Sequence, residues 1–381
     1  MKLLHLSDLH LGKRVYDFPM LEDQEYILKE ILRIVGEEKP DGVLIAGDVY
    51  DKSVPAAEAV NLLDWFLREL AGRETAVFLI SGNHDSSERL AFASALLRKS
   101  RVYISPAYHG DVEPIAMRDE FGEVNFYLLP FLKPGRVRGC FPEEKIDSYT
   151  DAVDCAVRHM EIDTARRNVL LTHQFVTGAE RSGSEELSVG GSDNVDVSVF
   201  APFDYVALGH IHGPQNLDGD RVRYCGTPLK YSISEAKHAK SVTVVELGKK
   251  GERTVRTIPL SPMRDMLDLK GTYDEVTARE FYQNFDQDAY IRITLTDEND
   301  IPDAMGKLRA IYPNLMTIGY DNARTRGGGE RLPAEAVDRM SPLELFSAFY
   351  QQQNGSKLSE EQEKYLAGLV EEIWDAGGGG K

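Results

Sequence analysis

Residues 75–97 read TAVFLISGNHDSSERLAFASALL, and how the central SGNHDSS is taken decides the fold. Thr75 to Ile80 are all apolar or β-branched, which predicts a buried strand. From Glu88 to Leu97 the pattern predicts a helix. Asn83, His84 and Asp85, each able to coordinate a cation or exchange a proton, therefore fall at the carboxyl end of a strand. Open α/β sheets bind their ligands at that end.

The same pattern recurs on both sides. KLLHLSD and DGVLIAGD read as strands upstream, with amphipathic helices over Gln24–Glu37 and Ala56–Leu70. Downstream come EVNFYLLP, a helix around Tyr149–Ile162, and then NVLLTHQF, YVALGHIH, VRYCGTP and SVTVVEL. Early βαβ alternation giving way to strand-rich sequence predicts α/β layers, on one large mixed sheet or a pair of sheets.

Five strand ends carry polar punctuation: Asp8 and His10 in SDLH, Asp48 and Asp51 in GDVYD, Asn83 to Asp85 in GNHD, His173 in LTHQ, and His210 and His212 in GHIHG. Singly, each has an ordinary structural reading. Asn83 suits a turn, Asp48 a cap, and His10 or His173 a satisfied core position. Together they are better explained by a shared metal site. Five of the nine histidines fall in these segments, and Gly precedes Asp48, Asn83 and His210, permitting tight backbone paths. Asp8, His10, Asp48, Asn83, His173, His210 and His212 are too many ligands for one ion with an open position. With Asp48 bridging, two ions would each receive four. Carboxylate, amide and imidazole donors without thiolate suit Mn²⁺, Fe²⁺ or Zn²⁺.

D-x-H, G-D-x-x-D, G-N-H-D, a lone His and G-H-x-H, in that order, resemble the calcineurin-like metallophosphoesterase family. The flanks HLSDLHLG, IAGDVYDKSVP, SGNHDS, ALGHIHGPQ and YCGTPLKYS are similar to its bacterial Mre-type DNA nucleases. The resemblance implies a four-layer αββα sandwich over 1–262 and a small α+β DNA-capping domain over 263–325. A linker over 326–340 and a C-terminal helical hairpin over 341–381 would follow. It places Asp8, His10, Asp48 and His212 on one ion and Asp48, Asn83, His173 and His210 on the other, with Mn²⁺ as the metal. It makes His84 the general acid, supported by Asp51 and less directly by Asp85. It also implies a homodimer joined to an SbcC-type ATPase as a heterotetramer, cutting duplex ends as an exonuclease and single strands or hairpins as an endonuclease in DNA repair and recombination.

Composition pulls the other way on substrate. Forty-four Lys and Arg against 62 Asp and Glu leave a formal charge of −18, whereas a protein that grips DNA unaided carries a basic face. Bound cations and a basic partner would supply the missing charge. Lys13, Arg14 and Tyr16, in the loop after His10, are candidate DNA contacts, and the Gly/Ser-rich stretch from Thr177 to Val195 would line the cleft. Helices Ala56–Leu70 and Glu88–Leu97 offer Leu62, Trp65, Phe66, Leu90, Phe92 and Leu96 for dimerisation or for the core. In the tail, Phe346, Phe349, Leu366 and Trp374 belong to apolar stripes that need a covering surface, on the chain's own body or on a partner, with Ser341 and Ser359 as N-caps. Cys140, Cys155 and Cys225 form no CxxC pair and read as structural thiols. With no apolar run of spanning length and an N-terminus unlike a signal peptide, a cytoplasmic protein is expected. A small-substrate phosphodiesterase and a catalytically inactive scaffold are the competing functions.

Overall fold

The computed structural model describes residues 1–183, 193–326, 342–354 and 357–377, in two compact units, Met1–Asp265 and Met266–Lys381. In the first unit the strands longer than two residues are β1 (Lys2–Leu6), β2 (Gly42–Ala46), β3 (Ala76–Ile80), β4 (Val102–Ile104), β5 (Ile115–Asp119), β6 (Gly122–Leu129), β7 (Arg167–His173), β8 (Tyr205–Gly209), β9 (Gln215–Asp218), β10 (Val222–Tyr224), β11 (Ser241–Leu247) and β12 (Arg253–Pro259). They form two six-stranded sheets, β12-β11-β1-β2-β3-β4 and β9-β10-β8-β7-β6-β5. Strands β1 to β4 run parallel, as do β6, β7, β8 and β10, while the remaining pairings are antiparallel.

Alternation along the strands builds the layers. Leu3, Leu44, Phe78 and Ile80 of the first sheet meet Phe126, Leu128, Val169, Leu171 and Tyr205 of the second in one dry core. Phe78 and Phe126 stack there with ring centroids 4.1 Å apart. The opposite face of the second sheet, including Tyr127, Leu129, Leu170, Val206 and Leu208, packs on Ala152, Val153, Ala156 and Val157 of helix Tyr149–Arg158. Helices Leu21–Glu38 and Ala57–Ala71 bury stripes that include Ile27, Leu28, Ile31, Leu62 and Phe66. The result is the four-layer αββα sandwich. Its parallel strands end together, which gathers the loops after Leu6, Ala46, Ile80, His173 and Gly209.

The helix expected over Glu88–Leu97 is broken. Ser87–Leu90 and Ser94–Leu97 are separate turns, and Ala93 between them is left-handed at φ 59°. Phe92 and Leu96 are consequently 82% and 71% exposed, while Leu62 and Phe66 belong to the interior. Helix Tyr149–Arg158 stops short of the expected Ile162 and carries a capping box from Ser148 and Asp151. Edge strands β4, β5, β9 and β12 are not marked in the sequence, β4 because it is only three residues long. The exposed positions of the other three carry Arg, Asp, Asn and Thr, so the alternation is diluted.

The second unit holds three parallel strands, β13 (Met266–Gly271), β14 (Tyr290–Leu295) and β15 (Leu315–Tyr320). Leu269, Val276, Ile291, Ile293, Leu308 and Tyr312 form its core. Its first strand lies where the sequence showed only a connector past Pro262. Apart from Arg326, the linker expected over 326–340 lies outside the described residues. Helices Pro342–Asn354 and Glu360–Gly377 follow. Phe346 and Phe349 are exposed, Leu366 is half-buried, and the side chain of Trp374 lies outside the described residues. No helix among the described residues is long and apolar enough to cross a membrane.

Candidate metal centre

Three glycines let the strand ends close on one another. Gly47 has φ +87°, and a Cβ there would stand 2.4 Å from Nδ1 of His173. At Gly82 a Cβ would meet Asp48 Oδ1 at 2.1 Å, and at Gly209 the Ala46 carbonyl oxygen at 1.8 Å. The sequence suggested Gly82 for a sharp turn. Its φ is ordinary, and what the position requires is the missing side chain. Asp8 (φ 54°), His10 (φ 45°), Asp48 (φ 46°) and His210 (φ 105°) all hold left-handed backbone conformations. Such strain persists where the surrounding structure over-determines it, commonly at functional sites.

These paths bring together the seven candidate ligands. His10 Nε2 lies 3.3 Å from His212 Nε2 and 3.7 Å from Asp48 Oδ2, and the Asp8 carboxylate is close to both imidazoles. On the other side, His173 Nε2 lies 3.4 Å from Asp48 Oδ2 and 3.0 Å from Asn83 Oδ1, which is also 3.0 Å from His210 Nδ1. Asp48 is common to both groups. The His210 backbone N–H donates to both oxygens of Asp8, at 3.0 and 3.2 Å, fixing that carboxylate.

The charges are tightly interdependent. Burial opposes the Asp48 charge, but His173, His10 and His84 outweigh it and hold the carboxyl well below its usual range. Burial also works against a charged His173, yet Asp48, Asp8 and the Ala46 carbonyl raise it to about 9. His210 is lowered to about 3 by burial and by His173. Burial pushes Asp8 up to about 6, against the pull of His173 and His212. A buried carboxylate–imidazolium pair ringed by neutral imidazoles stands where a cation would replace the proton.

Metal fits this donor set. His10 Nδ1 and His210 Nε2 are buried without a hydrogen-bond partner, and the converging atoms are all carboxylate, amide or imidazole. The neighbouring Cys225 thiol is pushed up to about 12 by burial and donates to Ser7 Oγ at 3.1 Å, so it presents no thiolate. His84, with its side chain 22% exposed, is the imidazole open to the cleft. Its Nδ1 donates to the backbone carbonyl of Asp51 at 3.0 Å.

Asp51 therefore meets His84 through its backbone carbonyl and not through its side chain. The Asp51 carboxylate accepts from Lys13 Nζ at 2.7 Å and lies 3.7 Å from His10 Nδ1, beyond hydrogen-bond distance, while the backbone carbonyl holds His84. Asp85 supports the loops instead: it accepts from the N–H groups of Val49, Tyr50 and Gly82 at 3.0, 2.9 and 2.9 Å. Lys13 is thereby held by Asp51 rather than extended. Arg14 is exposed and donates to the Asp17 carbonyl, and Tyr16 is exposed at φ 51°. The Thr177–Val195 stretch lies partly outside the described residues.

Three residues at the centre escaped sequence reading. Gln24 Nε2 donates to the His10 carbonyl at 2.7 Å while its Oε1 accepts from Gly12 N–H at 2.9 Å. Tyr231 donates to the Leu9 carbonyl at 2.6 Å, and Glu235 faces His212. Their partners lie far away in sequence or on backbone atoms, so no local spacing marks them.

Known proteins resemble this chain along its whole length. Residues 1–214 match the model of the calcineurin-like phosphoesterase family, and residues 262–354 match one described as the type 5 capsule protein repressor C-terminal domain. A curated relative from Staphylococcus epidermidis, the SbcD component of the nuclease SbcCD, is 31% identical over 99% of this chain and 100% of its own. A solved dimetal phosphatase from Danio rerio is similar over 68% of this chain and 99% of that one, at 13% identity and a TM-score of 0.40.

Proposed function

The chain belongs to the calcineurin-like phosphoesterase family, and from that premise we propose that it is a two-metal DNA nuclease component hydrolysing phosphodiester bonds. The observation that carries this reading is the double cluster sharing Asp48, together with full-length similarity to a component of a nuclease. Asp8, His10, Asp48 and His212 would hold one ion, and Asp48, Asn83, His173 and His210 the other. When bound, two divalent cations, here taken as Mn²⁺, supply Lewis acidity toward phosphoryl oxygens and lower the pKa of a water. They also add about four positive charges to an acidic molecule, so a polyanion can approach.

The chain's own residues then do the following. Asp8 and Asp48 set the charge of the floor. Gly47, Gly82 and Gly209 allow the loops to approach. His84, with Nδ1 anchored on the Asp51 carbonyl, presents Nε2 to the cleft and delivers a proton to the oxygen leaving phosphorus. Arg14 and Tyr16, both exposed beside the site, are proposed contacts to the DNA backbone, and Lys13 joins them only by leaving Asp51.

The same reading gives the second unit its roles. Residues 263–325 would cap DNA. The hairpin bearing Phe346, Phe349, Leu366 and Trp374 would dock an SbcC-type ATPase, whose basic surface would offset the −18 charge. Homodimers joined to that ATPase would act in repair and recombination, as an exonuclease on duplex ends and an endonuclease on single strands or hairpins. Purified protein with Mn²⁺ should degrade end-labelled duplex DNA and open a DNA hairpin. Hydrolysis confined to small phosphodiesters would overturn the reading in favour of a small-substrate enzyme.

A further inference from the structure

Behind His212 lies an ion pair that the site described above does not use. Glu235 and Lys240 are both buried, Glu235 to 0% exposure. Lys240 Nζ donates to Glu235 Oε2 at 2.5 Å, to the His212 carbonyl at 3.0 Å and to Thr227 Oγ1 at 2.6 Å. Thr227 Oγ1 in turn lies 3.2 Å from Glu235 Oε2. The other carboxylate oxygen, Oε1, accepts from His212 Nδ1 at 3.0 Å. Every arm of this cluster ends on His212, through its ring or its backbone.

A buried ion pair of this kind rarely adds stability over a well-packed apolar pair of equal volume, because desolvation offsets the attraction. Its usefulness therefore lies in what the charge does to its neighbour. A carboxylate on Nδ1 keeps the proton there, leaves the lone pair on Nε2 and turns the ring so that Nε2 faces His10 Nε2 at 3.3 Å. It also makes Nε2 a stronger donor.

The other site histidines lack this arrangement. His173 Nδ1 donates to the backbone carbonyl of Ala46 at 2.9 Å, and His84 to that of Asp51. His10 Nδ1 has no hydrogen-bond partner, the nearest carboxylate being Asp51 at 3.7 Å. His210 presents Nδ1 to Asn83 and leaves Nε2 unpartnered. Among the described site imidazoles, only His212 is hydrogen-bonded to a carboxylate through the nitrogen turned away from its cluster.

We propose that Glu235, neutralised by Lys240, is a positioning residue that fixes the His212 tautomer and makes the Asp8–His10–His212 cluster the tighter of the two cation sites. The inference rests on the two-metal reading. Lys240 keeps Glu235 ionised in the interior and, by holding the His212 carbonyl, ties ring and backbone to one anchor. Gly226 makes room for the clasp, since a Cβ there would stand 2.7 Å from the His212 carbonyl oxygen.

The test uses the full chain, Mn²⁺ alone as the ligand, and E235M/K240M, which removes both charges at similar volume and leaves neither one buried and unpaired. Titration should show two ions per wild-type chain with unequal affinities. The double variant should lose about 10–100-fold in the tighter step and stay within about threefold in the other. E235Q/K240M, which retains a neutral acceptor, should fall between. Nitrogen-15 NMR of the metal-free wild type should find the His212 proton on Nδ1, and E235M/K240M should redistribute it. Equal weakening of both steps, no weakening of either, or an Nε2 proton on wild-type His212 would overturn the assignment. The last is read without any variant or metal. A wild-type chain that binds fewer than two ions overturns the two-metal reading itself, and with it the claim of unequal sites, a failure distinguishable because it appears in the parental protein.

Discussion

The Nε2 atoms of His10 and His212 stand 3.3 Å apart although 202 residues separate them in the chain. One imidazole comes from the first sheet's β1 loop and the other from the second sheet's β8 loop. Their meeting requires both sheets to end at one level, so the site and the sandwich are one construction. Removing either ring should cost one ion and leave the other. H10A or H212A should therefore bind about one Mn²⁺ per chain, as read by elemental analysis after gel filtration, and retention of two would separate that side chain from the cluster.

His84 differs from its neighbours because its Nδ1 is committed to the Asp51 carbonyl and its ring is open to the cleft. H84A should keep two ions and lose about 10²–10⁴-fold in cleavage rate, the usual range for a lost acid–base group. Metal content and single-turnover cleavage, measured on one preparation, check both halves. Cleavage at the parental rate would remove His84 from the chemistry.

The glycines make two separable predictions. In G82A the new Cβ would collide with Asp48 Oδ1 at 2.1 Å and with the Asp48 backbone nitrogen at 2.4 Å, so the loop after β2 must shift and carry the shared carboxylate with it. That variant should fold and bind Mn²⁺ poorly. In G209A the collision is with the Ala46 backbone carbonyl at 1.8 Å, between two packed sheets that cannot part locally. It should lower the melting temperature sharply or fail to fold. Thermal denaturation monitored by circular dichroism distinguishes the two, and a G209A protein as stable as its parent would contradict the packing.

The seven clustered positions were legible because each follows an apolar strand, and three of them follow a glycine. The supporting contacts were not. Gln24, Tyr231 and Glu235 act on residues 14 to 222 positions away, so their meaning exists only after folding. Asp51 shows a subtler limit. Its type suggested a carboxylate behind His84, yet the backbone carbonyl occupies that place. The Glu88–Leu97 helix failed for a local reason, since Ala93 is left-handed with neither Gly nor Asn to announce it. Edge strands such as Arg253–Pro259 are paired on one side only, and their exposed face obscures the period.

Away from the site, Arg167 is buried at the start of β7, where it pairs with both oxygens of Asp119 and donates to the carbonyls of Gly122 and Gly248 at 2.9 Å. Asp119, 15% exposed, is held well below the usual carboxylate range, first by Arg167. R167M leaves that carboxylate with only the Met1 ammonium, 2.8 Å away, and should destabilise the fold by about 2 kcal/mol. Urea denaturation measures it, and a change under about 1 kcal/mol would show the pair to be incidental.

The last prediction concerns protons. His173 is raised to about 9 through Asp48, against the opposing effect of burial. Without metal, a folded-state value above the unfolded 6.5 contributes stability that is fully present below about pH 6.5 and is lost as pH rises through about 9. A cation needs the unprotonated ring, so at pH 7 its entry must expel that proton. Mn²⁺ affinity should accordingly rise with pH up to about 9, and calorimetry in buffers of different ionisation enthalpy should find about one proton released per chain at pH 7. H173Q, which cannot carry the proton, should release correspondingly less. Heats of binding that do not vary with buffer would show that His173 is already neutral before the metal arrives.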